Sequence, residues 1–168
     1  LFPYTTLFRS TGAIGTATAH LLMAFGAKVI AWSRTERNEV KALDVEYLPL
    51  DDLLRQSDIV SLHVPLCDET RGLIGERELH LMKPTALLIN TARGPVCDIA
   101  AVGKTLVDGT IAGAAFDVFE QEPPLPLEHP LLSAKNCLLT PHVAFATEES
   151  FAVRADIVFG HVNEYLQQ

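Results

Sequence analysis

The sequence predicts an α/β fold, a doubly wound parallel sheet of the Rossmann type, and three observations predict it. Apolar runs such as KVIAW, DIVSLHV, TALLIN and NCLLT alternate with helix-like stretches along the 168 residues. Strands that are apolar throughout belong to parallel sheets with helices on both faces. A glycine pair, Gly12-Ala13-Ile14-Gly15, opens the first helix, where such a turn lets backbone approach a pyrophosphate. Finally, an arginine, an acid and a histidine follow directly on the ends of three strands, and that edge is where open parallel sheets bind ligands.

Taken in order, AIGTATAHLLMAFGA (residues 13–27) reads as a helix that aligns Ile14, Ala17, Leu21, Leu22 and Phe25 at helical spacing and ends at Gly26. KVIAW (28–32) is a β-branched strand. LDDLLRQS is a short helix after Pro49, and DIVSLHV (58–64) is a buried strand stopped by Pro65. GERELHLMK is a helix and TALLIN (85–90) a strand. DIAAVGKTLVDG is a helix closed by Gly109, and TIAGAAFDV (110–118) a strand. A proline-rich loop, EPPLPLEHPLL, leads to the last strand, NCLLT (136–140), and EESFAVRADIVFGHVNEYLQ is a long amphipathic helix.

The first ten residues break the pattern. An apolar strand and a first glycine are expected ahead of Thr11, but LFPYTTLFRS places Pro3, a Thr pair and Arg9 there, and Ser10 in the glycine's position. The codons CTC TTT CCC TAC ACG ACG CTC TTC CGA TCT translate to LFPYTTLFRS and match a widely used sequencing adapter. Residues 1–10 are therefore expected to be a non-native leader, with the first strand of the sheet missing or replaced. TTLFRS can imitate that strand, although Arg9 suits a buried position poorly.

With 48% apolar and 20% charged residues the composition is that of an ordinary soluble domain. The net charge of -8 offers no basic face, so neither nucleic acid nor an anionic membrane is expected as a partner. No apolar run approaches the roughly 18 residues of a spanning helix, and no signal-peptide pattern is present. Cys67, Cys97 and Cys137 are odd in number and widely spaced. They read as buried apolar residues in a reducing cytoplasm, with no metal site among them.

The second strand ends in Ser33-Arg34-Thr35, at the distance where a ribose-binding residue is expected. A carboxylate there would bind the 2′-hydroxyl of NAD. Ser33 supplies none, and Arg34 can pair with the phosphate of NADP. A solvent-facing arginine beside the adenine is the alternative, and the pair leans to NADP. Arg93, Glu122 and His142 follow TALLIN, TIAGAAFDV and NCLLT. Singly each has a duller reading, as a strand cap, a solvated loop acid and a packed loop histidine. Jointly they suit reduction of a 2-oxo acid. Arginine holds the carboxylate bidentately, histidine protonates the carbonyl oxygen as hydride arrives, and a carboxylate orients the imidazole.

SLHVPLCDETRGLI, INTARGPVCD, AGAAFDVFEQEP and LLTPHVAFAT, in that order, resemble the D-2-hydroxyacid dehydrogenases, and the resemblance runs from Thr11 to the C-terminus. It implies that Arg93 binds the substrate carboxylate and carbonyl, His142 is the general acid/base and Glu122 is its partner. It further implies that Ala13 and Ile14 meet the pyrophosphate, and that Val64, Pro65 and Thr70 line the coenzyme cleft. Thr91 and Ala92 would flank the nicotinamide, and Asp117 would hold its carboxamide. Arg-Gly-Pro resembles the glyoxylate, hydroxypyruvate and general 2-oxo-acid reductases more than the phosphoglycerate dehydrogenases.

By the same resemblance, residues 11–145 are an incomplete NAD(P)-binding domain and residues 146–168 a helix returning to a substrate domain upstream. The chain alone would then have weak or no activity, and the full-length protein would be a homodimer. Rival readings are a nucleotide-sensing module, such as the corepressors that share this fold, a truncated product without function, and an L-specific dehydrogenase.

Overall fold

A computed structural model describes residues 5–9 (as backbone), 12–121 and 124–167. Ser10, Thr11 and the predicted acid Glu122 lie outside the described residues.

Seven parallel strands form one sheet: β1 (Thr5–Arg9), β2 (Lys28–Trp32), β3 (Glu46–Tyr47), β4 (Ile59–Leu62), β5 (Leu87–Asn90), β6 (Gly113–Phe116) and β7 (Cys137–Leu139). Their order is β3-β2-β1-β4-β5-β6-β7. The chain builds outward from β1 to β3, then returns past β1 and builds the other way from β4. The topological switch point therefore falls between β1 and β4. The position of the first strand is filled by Thr5–Arg9, with Leu7 in register with Ile30 on one side and Val60 on the other.

The connections are α1 (Ala13–Ala24), α2 (Asn38–Lys41), α3 (Leu50–Gln56), α4 (Glu76–Leu81) and α5 (Ile99–Val107), with α6 (Glu148–Leu166) closing the chain. Single turns of 3₁₀ helix occur at Gly94–Val96 and Pro130–Ser133. Of these, α2 and β3 are not anticipated from the sequence, being too short to show a period.

Alternation along β2 separates two apolar layers. Ile30 joins the larger one with Leu53, Leu54, Val60, Leu62, Leu88 and Phe116. Val29 and Ala31 face Ala19, Val40 and Val45 on the other side. Each fully buried Leu or Phe contributes about 1.5–3 kcal/mol relative to exposure.

The first helix corrects one expectation. Most of its apolar stripe does not face the sheet: Ile14, Leu21 and Phe25 are 71%, 62% and 74% exposed, the buried residues are Gly15 and Ala19, and of the stripe's large residues Leu22 packs against the core. A helix seated this closely on a strand must present its smallest residues, so periodicity of large side chains misidentifies the packed face. The helix ends where predicted. Gly26 adopts φ +84°, its amide donates to the Met23 carbonyl (2.8 Å), and that of Ala27 donates to the Leu22 carbonyl (3.0 Å). This is a Schellman ending, which glycine accommodates without Cβ strain.

Helix α6 starts at Thr147, whose hydroxyl accepts from the Ser150 amide at 3.1 Å. It buries none of its residues, and Phe151, Ile157 and Phe159 stand open. No described helix is long and apolar enough to cross a membrane.

Candidate active site

A cleft of about 1140 Å³ runs along the carboxyl ends of the strands. Its walls come from Ile14 on α1, the segment after β4 (His63 to Leu66), the turn after β5 (Thr91 to Arg93) and Asp117 after β6. Pro141, His142, Ala144 and Phe145 after β7, and Arg154 on α6, complete it. Strand order brings the segments after β4, β5, β6 and β7 together, although they are far apart in the chain.

The turn that carries Arg93 is held by Asn90, the fully buried last residue of β5. Its side-chain oxygen accepts from the Ala92 amide and its NH₂ donates to the Arg93 carbonyl, both at 3.0 Å. The Arg93 guanidinium donates to the Ala92 carbonyl at 2.6 Å and makes no ion pair with a described residue, so further N–H donors face the cleft. Gly94 follows because nothing larger fits. A Cβ there would stand 2.0 Å from the Phe119 carbonyl carbon and 2.6 Å from the Glu120 nitrogen. The arginine turn is thereby locked against the loop at Phe119 and Glu120 that follows β6. That loop is also tied down by Glu120, whose carboxylate lies 3.3 Å from Nε2 of the buried His129.

His142 occupies the left-handed region at φ 57°, a conformation costing a residue with a Cβ about 1–2 kcal/mol. Asp117 compensates. Its Oδ1 accepts from the Thr140 hydroxyl (2.5 Å) and the Val143 amide (2.9 Å), and Oδ2 accepts from the Ala144 amide (2.8 Å). Both residues next to His142 on its C-terminal side are thus pinned to one carboxylate. Burial pushes the Asp117 pKa up, but the donors from Thr140, Ala144 and Val143, with His142 nearby, outweigh it and hold the carboxyl below its ordinary value. Three of roughly four acceptor sites are used, which leaves Oδ2 able to accept one more donor from the cleft. The imidazole of His142 meets the Phe145 ring edge-to-face at 5.7 Å.

The other predicted positions fall as follows. Gly12 caps α1, with no side-chain cap and no acid in the first turn. The first intrahelical bond is from the Thr16 amide to the Gly12 carbonyl (2.9 Å), so the amides of Ala13, Ile14 and Gly15 precede it and are open to an anion. With a cleft of this length beside it, that end suits a diphosphate-linked dinucleotide. Val64, Pro65, Thr91 and Ala92 line the cleft. Thr70 lies behind it, buried, donating to the Pro65 carbonyl (2.7 Å) and accepting from the Cys67 amide (2.9 Å). It shapes the Val64-Pro65 wall from within. Ser33 and Arg34 follow β2, and the Arg34 guanidinium lies 3.7 Å from the Glu69 carboxylate, both largely exposed. Such a pair is worth at most about 1 kcal/mol, so a phosphate can displace it.

Sequence reasoning did not single out His63, Phe145 or Arg154, all cleft residues. His63 lies 2.9 Å by Nε2 from the Ser61 hydroxyl, and burial pushes its pKa down. Its signal was present in SLHVP, one residue past a strand of known direction. Arg154 had no comparable signal, because only the path of α6 brings it to the cleft.

A parallel sheet with a glycine-initiated helix at its switch point and an arginine and a histidine on one cleft defines a dinucleotide-binding domain of the dehydrogenase kind. The family model for the D-isomer specific 2-hydroxyacid dehydrogenase NAD binding domain matches residues 4–144. The chain belongs to this family. It is 54% identical over 140 residues to the glyoxylate reductase of Aeropyrum pernix, covering 83% of this chain and 42% of the relative. To that of Korarchaeum cryptofilum it is 48% identical over 148 residues, covering 88% and 44%. The D-lactate dehydrogenase of Aquifex aeolicus, solved with NAD and lactic acid, superposes with a TM-score of 0.91 at 34% identity, over 98% of this chain and 54% of that one. The chain thus spans less than half the length of these curated relatives.

Proposed function

We propose that this chain is the coenzyme-binding part of a reductase that converts a small 2-oxo acid to its D-2-hydroxy acid, of the glyoxylate and hydroxypyruvate type. The observation that carries the proposal is the presence of Arg93 and His142 on one cleft with the open amino end of α1. The names of the relatives, glyoxylate reductase among them, support it.

A bound nicotinamide coenzyme supplies the hydride that reduces the carbonyl carbon, and receives it in the reverse direction. Arg93 holds the substrate carboxylate in a bidentate pair and draws charge from the carbonyl oxygen. His142 gives that oxygen a proton during reduction and takes it back during oxidation. Glu122 orients the imidazole from its other ring nitrogen. Asp117 fixes the loop on which His142 is carried, and its free acceptor site takes the carboxamide. Ala13 and Ile14 meet the pyrophosphate, and Val64 and Pro65 wall the coenzyme side of the cleft.

Ser33 and Arg34 support NADP over NAD as the coenzyme. Residues 11–145 are the coenzyme domain, and residues 146–168 return to a substrate domain that closes the cleft. Residues 1–10 are a non-native leader, and the full-length protein is a cytoplasmic homodimer. The test is to recover the full-length gene from source DNA and follow reduced-nicotinamide absorbance with glyoxylate and hydroxypyruvate, offering NADH and NADPH in parallel, with His142→Ala as control. Turnover lost in the control is the expected result. Coenzyme binding without turnover of any 2-oxo acid would replace this proposal with a sensing module, and a native gene carrying the ten leader codons would refute the leader.

A further inference from the structure

The cleft holds one guanidinium more than reduction of a simple 2-oxo acid requires. Arg154, on the second turn of α6, lines the same cavity as Arg93 and His142. Its guanidinium carbon lies 4.9 Å from the centroid of the Phe145 ring. Phe145 in turn meets the His142 ring at 5.7 Å and that of Phe151 at 5.9 Å. The 4.9 Å and 5.7 Å separations laid end to end set the greatest distance from the Arg154 guanidinium carbon to the imidazole centroid, a span that a substrate a few carbons long can bridge.

Arg154 is also not engaged as surface arginines usually are. Its helical neighbours at three and four residues are Ser150, Phe151, Ile157 and Val158, none of them an acid that could pair with it. Among the described residues it makes no ion pair, and its guanidinium lies over the face of Phe145. A ring beneath the guanidinium restricts its plane and leaves the N–H edge free, the arrangement suited to bidentate capture of an oxyanion. Asp117, the one carboxylate among the described residues of the cleft wall, spends most of its acceptor capacity on the Thr140 hydroxyl and the Val143 and Ala144 amides. Two arginines thus share the described lining of the cavity with a single carboxylate, in a chain of net charge -8.

We infer that Arg154 is a specificity-determining residue that binds a second, distal oxyanion of the substrate, a carboxylate or a phosphate, while Arg93 holds the 2-oxo acid end. Phe145 is its positioning residue. The inference rests on the reductase reading above and extends its substrates from simple 2-oxo acids to those that carry a second anionic group.

The test uses the full-length gene product in wild-type, Arg154→Gln and Arg154→Lys forms. Steady-state reduction is compared for 2-oxoglutarate and phosphohydroxypyruvate, carrying a distal carboxylate and a distal phosphate, and for pyruvate and glyoxylate. The expected result is that Arg154→Gln lowers the dianion-to-monoanion ratio of kcat/KM by about ten- to a hundredfold, the worth of a charge-assisted hydrogen bond. The loss should lie mainly in KM, and Arg154→Lys should restore part of the ratio. Whichever dianion loses more identifies the distal group. An unchanged ratio, or an equal fall for both substrate classes, overturns the inference, since a structural role through Phe145 would weaken all substrates alike.

Calorimetric titration of the same proteins with 2-oxoglutarate and pyruvate separates the two proposals. Preference for the dianion that disappears in Arg154→Gln supports the inference, and the same pattern without turnover refutes the reductase reading alone. Equal binding by both proteins overturns the role of Arg154.

Discussion

Replacing Asp117 by asparagine isolates the device that presents His142. The carboxylate accepts from the Thr140 hydroxyl and the Val143 and Ala144 amides. Asparagine keeps one acceptor oxygen, which can retain the Thr140 and Val143 bonds, but turns an NH₂ group toward the Ala144 amide, so two donors face each other. One hydrogen bond to a charged acceptor is lost, worth about 1.5–3 kcal/mol, while His142 still carries a left-handed cost of about 1–2 kcal/mol. The two are comparable, so the loop from Pro141 to Ala144 is expected to relax and the imidazole to leave the cleft.

Urea unfolding of the coenzyme-free full-length protein should therefore show a loss of about 1.5–3 kcal/mol, with kcat falling in parallel. If Asp117 acts only by holding the nicotinamide carboxamide, coenzyme KM rises and coenzyme-free stability is unchanged, a result that would refute the pinning argument. Because the folded pKa of Asp117 is lowered, its contribution to stability is present above the ordinary aspartate range near about 3.9 and disappears as pH falls below it. The variant should lack this part of the acid limb.

Three further outcomes are expected. Gly94→Ala puts a methyl group 2.0 Å from the Phe119 backbone, so it should cost about 1–3 kcal/mol or more and lower kcat/KM through Arg93, read by chemical denaturation and steady-state kinetics. His63, whose folded pKa is lowered by burial, adds stability that is present above the ordinary histidine value near about 6.5 and lost as pH falls below it. His63→Gln should flatten the stability profile just below that value in unfolding measurements at stepped pH. Arg34→Ala should raise KM for NADPH more than for NADH, and equal effects would show that Arg34 only faces solvent beside Glu69.

The fold class was legible because hydrophobic periodicity and glycine placement are local properties. The runs KVIAW, DIVSLHV, TALLIN and NCLLT each contain a strand of the sheet, and Gly26 and Gly109 follow the ends of helices. The boundaries were less so: the strand expected over residues 110–118 is paired only from Gly113 to Phe116, because a ladder ends where its neighbours leave, whatever the run's own character. Strand direction by itself brings Arg93 and His142 to one edge, since parallel strands all release their chains on the same side.

Tertiary structure alone decided the rest. It turned Ile14, Leu21 and Phe25 of α1 outward and set Gly15 and Ala19 against the sheet, as packing distance demands. It gave Asp117 the amides beside His142, showed why residue 94 must be glycine, and carried Arg154 from the last helix to the cleft. Each of these depends on which atoms meet across long separations in sequence, and no period or motif in a single chain encodes that.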